Sequence, residues 1–217
     1  TFAGNTLAQI TPEWVRYPVI SPNGESIAFT YKGDLYRVAT NGGLATRLTF
    51  HKAHDFHAVW SQDGDKLAFA SNRHGNFDVF VMDALGGEAT RLTFDSSDEL
   101  PYTFDKNDAR VLFQGQRMDI ATHRQHPTGR LPELYSVSVE GDRVRQVLTL
   151  TAEHVQLNDD GSQLVYQDSK GAENQWRKYH RSSATRDIWT YDVDSGKHEQ
   201  LTTFEGEDRQ PVYSQDG

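Results

Sequence analysis

The chain has 217 residues, which is enough for one large domain or two small ones. Apolar residues make up 36% of it and aromatic residues 11%, so a packed core is expected and wholesale disorder is not. The formal charge of −9 argues against a general nucleic-acid or anionic-membrane binder. The absence of cysteine excludes disulfides, thiolate metal sites and cysteine catalysis.

A turn followed by a short apolar strand recurs along the chain, as in Ser21-Pro22-Asn23-Gly24 before Ile27-Ala28-Phe29. The turns occupy residues 21–24, 61–64, 105–108, 158–161 and 214–217, at spacings of 40, 44, 53 and 56 residues. Asp108 stands where the other turns have glycine, and we expect it to weaken that one turn.

Each unit has a second half in the same order. An apolar strand such as Leu35-Tyr36-Arg37-Val38 leads to a glycine turn and then to an ending such as Thr46-Arg47-Leu48-Thr49. No stretch shows a sustained helical period. Four short strands in each unit of about 40–50 residues are typical of a β-propeller blade. A β-sandwich or a flat array of hairpins is the alternative.

We therefore predict an all-β fold, a β-propeller of four-stranded antiparallel blades, with four complete blades plus the start of a fifth, as part of a larger propeller. The predicted segments are an N-terminal lead at 1–16, blade 1 at 17–55, blade 2 at 56–99, blade 3 at 100–152, blade 4 at 153–208, and the first strand of a truncated blade 5 at 209–217. The alternative is that the four blades close on themselves. An incomplete ring exposes a blade face and strand edges, so self-association is expected for a part of a larger ring.

Two long connections are predicted on the face opposite the short turns, at residues 116–130 of blade 3 and 169–186 of blade 4. Long loops on a rigid scaffold often carry function. The two loops together carry a net charge of +6 on an otherwise acidic chain, which favours attraction of an anionic group such as a carboxylate. The candidate substrate-binding residues are Arg124, Arg130, Trp176, Arg177, Lys178, Arg181 and Arg186.

Internal ion pairing is an equally open explanation of these cations. Neighbouring loops supply possible acidic partners at Asp95, Asp98, Glu99, Glu205, Glu207 and Asp208.

Sequence motifs of common catalytic sites are missing. There is no Gly-x-Ser-x-Gly elbow, and Ser182 and Ser183 beside His180 do not make a triad by proximity in sequence. His51, His54 and His57 have a spacing that zinc ligands can adopt, but we interpret them as part of a polar connection. We expect no catalytic residue, no metal site and no cofactor in this chain.

The turn, strand and Arg-Leu-Thr endings resemble the repeats of TolB-type and tricorn-type propellers over nearly the whole chain. More specific runs at 17–24, 75–79, 127–130, 176–189 and 206–212 look like the amino-terminal propeller of large bacterial tricorn-like serine peptidases. The resemblance implies a periplasmic or secreted location. It also implies a propeller that binds or gates peptide or unfolded-protein substrates for a downstream protease domain of the same chain.

Two other functions stay open at this stage. One is a TolB-like protein–protein interaction module with no protease attached. The other is an independent propeller enzyme such as a lyase or glycosidase, which needs convergent acids or metal ligands that the repeat positions do not supply.

Overall fold

The chain folds into antiparallel β-sheets. The computed structural model describes residues 13–117, 131–171 and 181–214. Within these ranges the regular structure consists of β-strands, and the strands pair antiparallel throughout. No helix in the same ranges could span a lipid bilayer. The predicted all-β class is confirmed.

The first two blades are separate four-stranded meanders in which each strand pairs with the next one along the chain. The first blade consists of β1 (Arg16–Ile20), β2 (Ser26–Tyr31), β3 (Asp34–Ala39) and β4 (Thr46–Arg47). The second consists of β5 (Asp55–Trp60), β6 (Lys66–Ser71), β7 (Asp78–Asp83) and β8 (Thr90–Arg91).

The third and fourth blades are joined in one seven-stranded sheet. Its strands are β9 (Leu100–Phe104), β10 (Arg110–Gly115), β11 (Glu133–Ser138), β12 (Arg145–Leu157), β13 (Gln163–Asp168), β14 (Ile188–Asp192) and β15 (His198–Gln200). The first part of β12 pairs with β11 as far as Thr151, and the second part pairs with β13 from Ala152 onward. One continuous strand therefore serves as the outer strand of blade 3 and the inner strand of blade 4.

Successive blades pack face to face because side chains alternate along each strand. In β6, Leu67 and Phe69 lie in the core shared with blade 1, and Ala68 lies in the core shared with blade 3. In β10, Val111 likewise faces blade 2 and Leu112 faces blade 4. The short runs of the sequence, apolar on both faces, are thus strands buried on both sides.

The leucine of the repeated Leu-Thr ending is buried in the first three blades. Leu48, Leu92 and Leu148 are all at least 96% buried. The threonine that follows anchors the neighbouring strand, because the Thr49 hydroxyl accepts a hydrogen bond from Leu35 N at 3.0 Å. Thr93 accepts from Val79 N at 2.9 Å in the same way. The motif therefore fixes the outer strand of its blade against the strand before it.

The repeated arginine pairs with an acidic residue that begins the third strand of its blade. Arg47 Nη2 lies 2.6 Å from Asp34 Oδ2, and Arg91 Nη2 lies 2.7 Å from Asp78 Oδ2. Blade 3 replaces the ion pair by a hydrogen bond from Gln146. These buried carboxylates were not predicted from the sequence.

Asp108 links blades 2 and 3. Its backbone adopts the left-handed conformation, with φ of 55°, which the turn requires. Its carboxylate accepts hydrogen bonds from Gln62 N at 2.7 Å and Asp63 N at 2.9 Å in the turn of the preceding blade. The expectation that this residue only weakens its turn missed this role, because a side chain that reaches across to another blade leaves no local sequence pattern.

We predict that Asp108→Ala lowers the free energy of unfolding by about 2 kcal/mol, because it loses two charge-assisted hydrogen bonds and keeps the left-handed strain. Asp108→Asn, which keeps an acceptor oxygen, should lose less. Asp108→Gly relieves the strain and loses only the link. Urea unfolding measures all three variants, and an alanine variant as stable as the parent would contradict a stabilising link.

Candidate functional site

The inner strands of the blades surround a central cavity. β5 contacts both β1 and β9, and β9 contacts β12. Residues 209–214 lie outside the sheets and run beside blade 4, where Gln210 N donates to Gln167 Oε1 at 3.0 Å and Tyr213 N donates to Gln156 Oε1 at 3.2 Å. These segments enclose about 370 Å³. That volume is within the usual range for small-ligand sites.

Five side chains near the starts of the inner segments line this cavity, and we call them the channel mouth. They are Tyr17, His57, Tyr102, His154 and Gln210. The strands start on the face that carries the long connections. The channel mouth therefore lies on the same face as the loops that the sequence analysis singled out.

A β-bulge recurs in the inner strands beside the residues of the channel mouth. The register of the inner strand shifts between Arg16 and Val19 in blade 1, and at the equivalent place in blades 2 and 4. The four residues in the left-handed conformation near these positions have φ between 50° and 56°, and they are Tyr17, His57, His154 and Gln210. Each costs roughly 1–2 kcal/mol outside glycine. Strain of this kind concentrates at binding and catalytic sites.

Pro101 explains why the inner strand of blade 3 has no left-handed residue at the equivalent position. It stands four residues before its turn, as do the four left-handed residues before theirs. Because the proline ring fixes φ near −65°, this position cannot become left-handed. The bulge instead leaves Tyr102 unpaired between Pro101 and Thr103. The tyrosine then enters the channel mouth in place of the preceding residue.

The channel mouth is uncharged at neutral pH. Burial lowers the pKa of His57, and the nearby His154 ring lowers it further. Burial also lowers the pKa of His154, against the opposing effect of Glu153. Burial raises the pKa of Tyr102 far above its ordinary value, and its hydroxyl donates to Gln114 Oε1. Both imidazoles and the phenol are therefore neutral.

An ion-pair network borders the channel mouth. Arg186 lies 3.2 Å from Glu153 and 3.7 Å from Glu207, and Arg209 lies 3.0 Å from Glu207. Gln167 Nε2 donates to the same Glu153 carboxylate at 2.8 Å. The charges nearest to His154 are thus paired with one another.

Two of the predicted substrate-binding residues lie in the described ranges. Arg181 pairs with Glu205 at 2.8 Å, and the two side chains are 66% and 74% exposed. Arg186 is only 10% exposed and belongs to the network beside His154. The other predicted residues fall outside the described ranges, and they are Arg124, Arg130, Trp176, Arg177 and Lys178. The binding role of all seven stays a prediction.

Internal pairing of loop cations, the explanation left open above, is present where the structure describes the loops. Besides Arg181 and Arg186, Arg117 lies 2.6 Å from the buried Glu99. Lys170 lies 2.5 Å from Asp187. Part of the basic character of these loops is therefore neutralised within the protein.

The three closely spaced histidines separate in the structure. His51 Nδ1 accepts from Ala53 N at 3.0 Å, and the His54 ring packs edge-on against Phe56 with centroids 5.2 Å apart. His57 instead belongs to β5 and to the channel mouth. Among the described residues, no group of three or more histidine, aspartate or glutamate side chains is arranged to hold a metal ion.

The lowered pKa values of the two channel-mouth imidazoles predict a pH dependence of stability. The unfolded chain takes up these protons near pH 6.5, and the folded protein takes them up only at lower pH. Their contribution is therefore complete above about pH 6.5 and is lost as the pH falls through that value toward the folded pKa. Asparagine tolerates the left-handed conformation, so His57→Asn/His154→Asn should fold and show a shallower loss between about pH 7 and about pH 5.5.

Urea unfolding at a series of pH values measures this slope, with His51→Asn as a control outside the channel mouth. Parallel slopes for the parent chain and the double variant would contradict the prediction.

Comparison with known proteins agrees with this architecture. Over 82 residues the chain is 38% identical to "Tricorn protease homolog 1" of Streptomyces coelicolor, covering 38% of this chain and 8% of that protein. It is 39% identical over 72 residues to "Protein TolB homolog" of Chlorobium luteolum, covering 32% of this chain and 16% of the relative. The chain thus spans a small part of the length of these curated relatives.

Two solved structures share the fold. The crystal structure of the tricorn protease superposes with a TM-score of 0.74 at 21% identity, covering 94% of this chain and 20% of that one. The crystal structure of TolB from Acinetobacter baumannii superposes with a TM-score of 0.65 at 18% identity, covering 90% of this chain and 45% of that one. The predicted β-propeller is thereby confirmed.

Residues 12–217 match the family described as the tricorn protease N-terminal beta propeller domain. With its inner-strand channel and four stacked blades, this chain belongs to that family.

Proposed function

We propose that this chain is the non-catalytic propeller segment of a tricorn-like serine peptidase, and that it binds or gates peptide substrates for a protease core in the same protein. The observation that carries the proposal is the channel mouth. It offers uncharged hydrogen-bonding groups and apolar walls on the face where the long loops emerge. Such a lining suits an extended peptide, whose backbone is polar and uncharged.

The basic loops have a complementary role in this proposal. Arg124, Arg130, Arg177 and Lys178 attract carboxylates of a peptide toward the channel mouth, and Trp176 offers an aromatic contact surface. Arg181 takes part by exchanging its exposed partner Glu205 for a substrate carboxylate, a change that costs little because exposed ion pairs contribute only about 0–1 kcal/mol.

Arg186 acts differently from these residues in the proposal. Its side chain is almost fully buried against Glu153 and Glu207, so it supports the loop and the channel mouth from behind. Removing one partner of a buried pair leaves the other charge uncompensated. Substitution of Arg186 is therefore expected to act through stability as well as through binding.

A periplasmic or secreted location is also part of the proposal, and it follows from the family resemblance. The lack of cysteine is compatible with either an oxidising or a reducing compartment. Fractionation of cells that express the complete gene tests the location directly, with recovery in the periplasm or medium expected.

A TolB-like interaction module without a protease is the second candidate. It is favoured by the 39% identity to the TolB homolog and by the TolB-like fold. The complete reading frame distinguishes the two functions. A peptidase core encoded after residue 217 supports the first, and a stop codon without such a core supports the second.

We predict that the double charge reversal Lys178→Glu/Arg181→Glu weakens binding of acidic peptides about tenfold. The substitutions replace positive by negative charges in the long connection of blade 4, which reverses the electrostatic attraction for an acidic peptide. Fluorescence anisotropy with labelled unstructured peptides measures the affinity, and raising the salt concentration should reduce the difference.

The matched control is Arg143→Glu/Arg145→Glu, which makes the same change of charge in the short-turn region. Arg145 lies beside Asp142 at the turn that follows β11, far along the strand from the long connection. Equal affinities for the two double variants would contradict a local role of the basic loop.

A further inference from the structure

We infer that the channel mouth is a subsite for the tyrosine side chain of an extended peptide. This inference rests on the proposed function, because it names the kind of side chain that the proposed peptide presents. Four properties of the cavity support it: its charge, its hydrogen-bonding capacity, its walls and its size.

The cavity has no charged side chain in its lining within the described ranges. A carboxylate or ammonium group that entered it would lose water and find no opposite charge, which is strongly unfavourable. The paired network of Arg186, Glu153, Glu207 and Arg209 has no net charge to offer in compensation. The lining therefore selects against acidic and basic side chains at this depth.

The imidazole of His154 provides the hydrogen-bonding group. His154 lines the cavity. Within the described part of the chain, neither nitrogen of its ring takes part in a hydrogen bond, and neither is fully buried. Neither nitrogen is therefore committed to a partner within the described residues, and both keep their capacity to bond a ligand. A neutral imidazole has one donor and one acceptor nitrogen. A tyrosine hydroxyl both donates and accepts, so it can bond either nitrogen.

Apolar and aromatic surfaces form the rest of the subsite. Pro18, Val59, Val155 and Pro211 line the same cavity. Tyr102 lies beside His154, with ring centroids 6.4 Å apart. An aromatic ring that enters this space gains apolar burial and edge contacts with neighbouring rings.

The size of the cavity favours a large side chain. About 370 Å³ exceeds what a serine, threonine or asparagine side chain fills, and an unfilled apolar space forgoes dispersion contacts. Among large uncharged side chains, tyrosine combines a ring for the apolar walls with a hydroxyl for His154. Phenylalanine fills the same space but leaves the imidazole unpartnered.

A peptide series tests the inference on the full 217-residue chain. The probes are fluorescein-labelled heptapeptides of glycine and serine with one central residue varied among tyrosine, phenylalanine, glutamate and lysine. We expect the tyrosine peptide to bind about fivefold more tightly than the phenylalanine peptide. The glutamate and lysine peptides should bind at least tenfold more weakly than the tyrosine peptide.

His154→Phe should remove the preference for tyrosine over phenylalanine while binding of the phenylalanine peptide persists. An aromatic residue is tolerated there, since Tyr17 adopts the same left-handed conformation at the equivalent position. The matched control is His74→Phe, which changes an exposed histidine outside the cavity and should keep the preference.

The outcomes separate this inference from the function on which it rests. Equal, measurable affinities for all four peptides would overturn the tyrosine subsite and leave peptide binding standing. A preference for tyrosine that survives His154→Phe would also overturn it. Failure of every peptide to bind would overturn the proposed function itself.

Discussion

Burial of the faces between neighbouring blades is the constraint on which this structure depends. A twisted four-stranded sheet with apolar side chains on both faces is not stable alone in water, so each blade needs a neighbour on each side. Blade 2 meets this need with two cores, one shared with blade 1 and one with blade 3. This stacking brings the inner strands together around one axis, and the cavity between them follows from it.

The sequence was sufficient to predict the blades because their signals are local. Turn residues, short apolar strands and the Leu-Thr endings recur from one unit to the next, and the structure confirms the all-β propeller class. The links between units were not predictable in this way. Asp108 was expected only to weaken a turn, but it reaches into the preceding blade. Within blade 2, the ion pair of Arg91 with the buried Asp78 was not predicted either, because it joins residues 13 positions apart.

The candidate site was predictable only as a face of the molecule. The channel mouth has no sequence motif, because its residues share a place in the repeat and not a residue type. The left-handed conformation is usually adopted by glycine or asparagine, but here it is adopted by Tyr17, His57, His154 and Gln210. The residue types at these positions therefore did not predict it. Their one common feature is a position four residues before the turn. His57 was interpreted as part of a polar connection for the same reason.

Because of the continuous strand β12, blades 3 and 4 are connected differently from blades 1 and 2. Between blades 1 and 2 the chain leaves β4 at Arg47 and enters β5 at Asp55, so a loop separates the two sheets. Between blades 3 and 4 there is no such loop, since the strand from Arg145 to Leu157 hydrogen-bonds with both sheets. Because an unbroken strand has no loop that can absorb a change of angle, we expect blades 3 and 4 to change their relative orientation less than blades 1 and 2 do. The strands β10 and β13, which lead into the two long connections, both belong to this joined sheet, so we expect the bases of the two connections to keep their spacing.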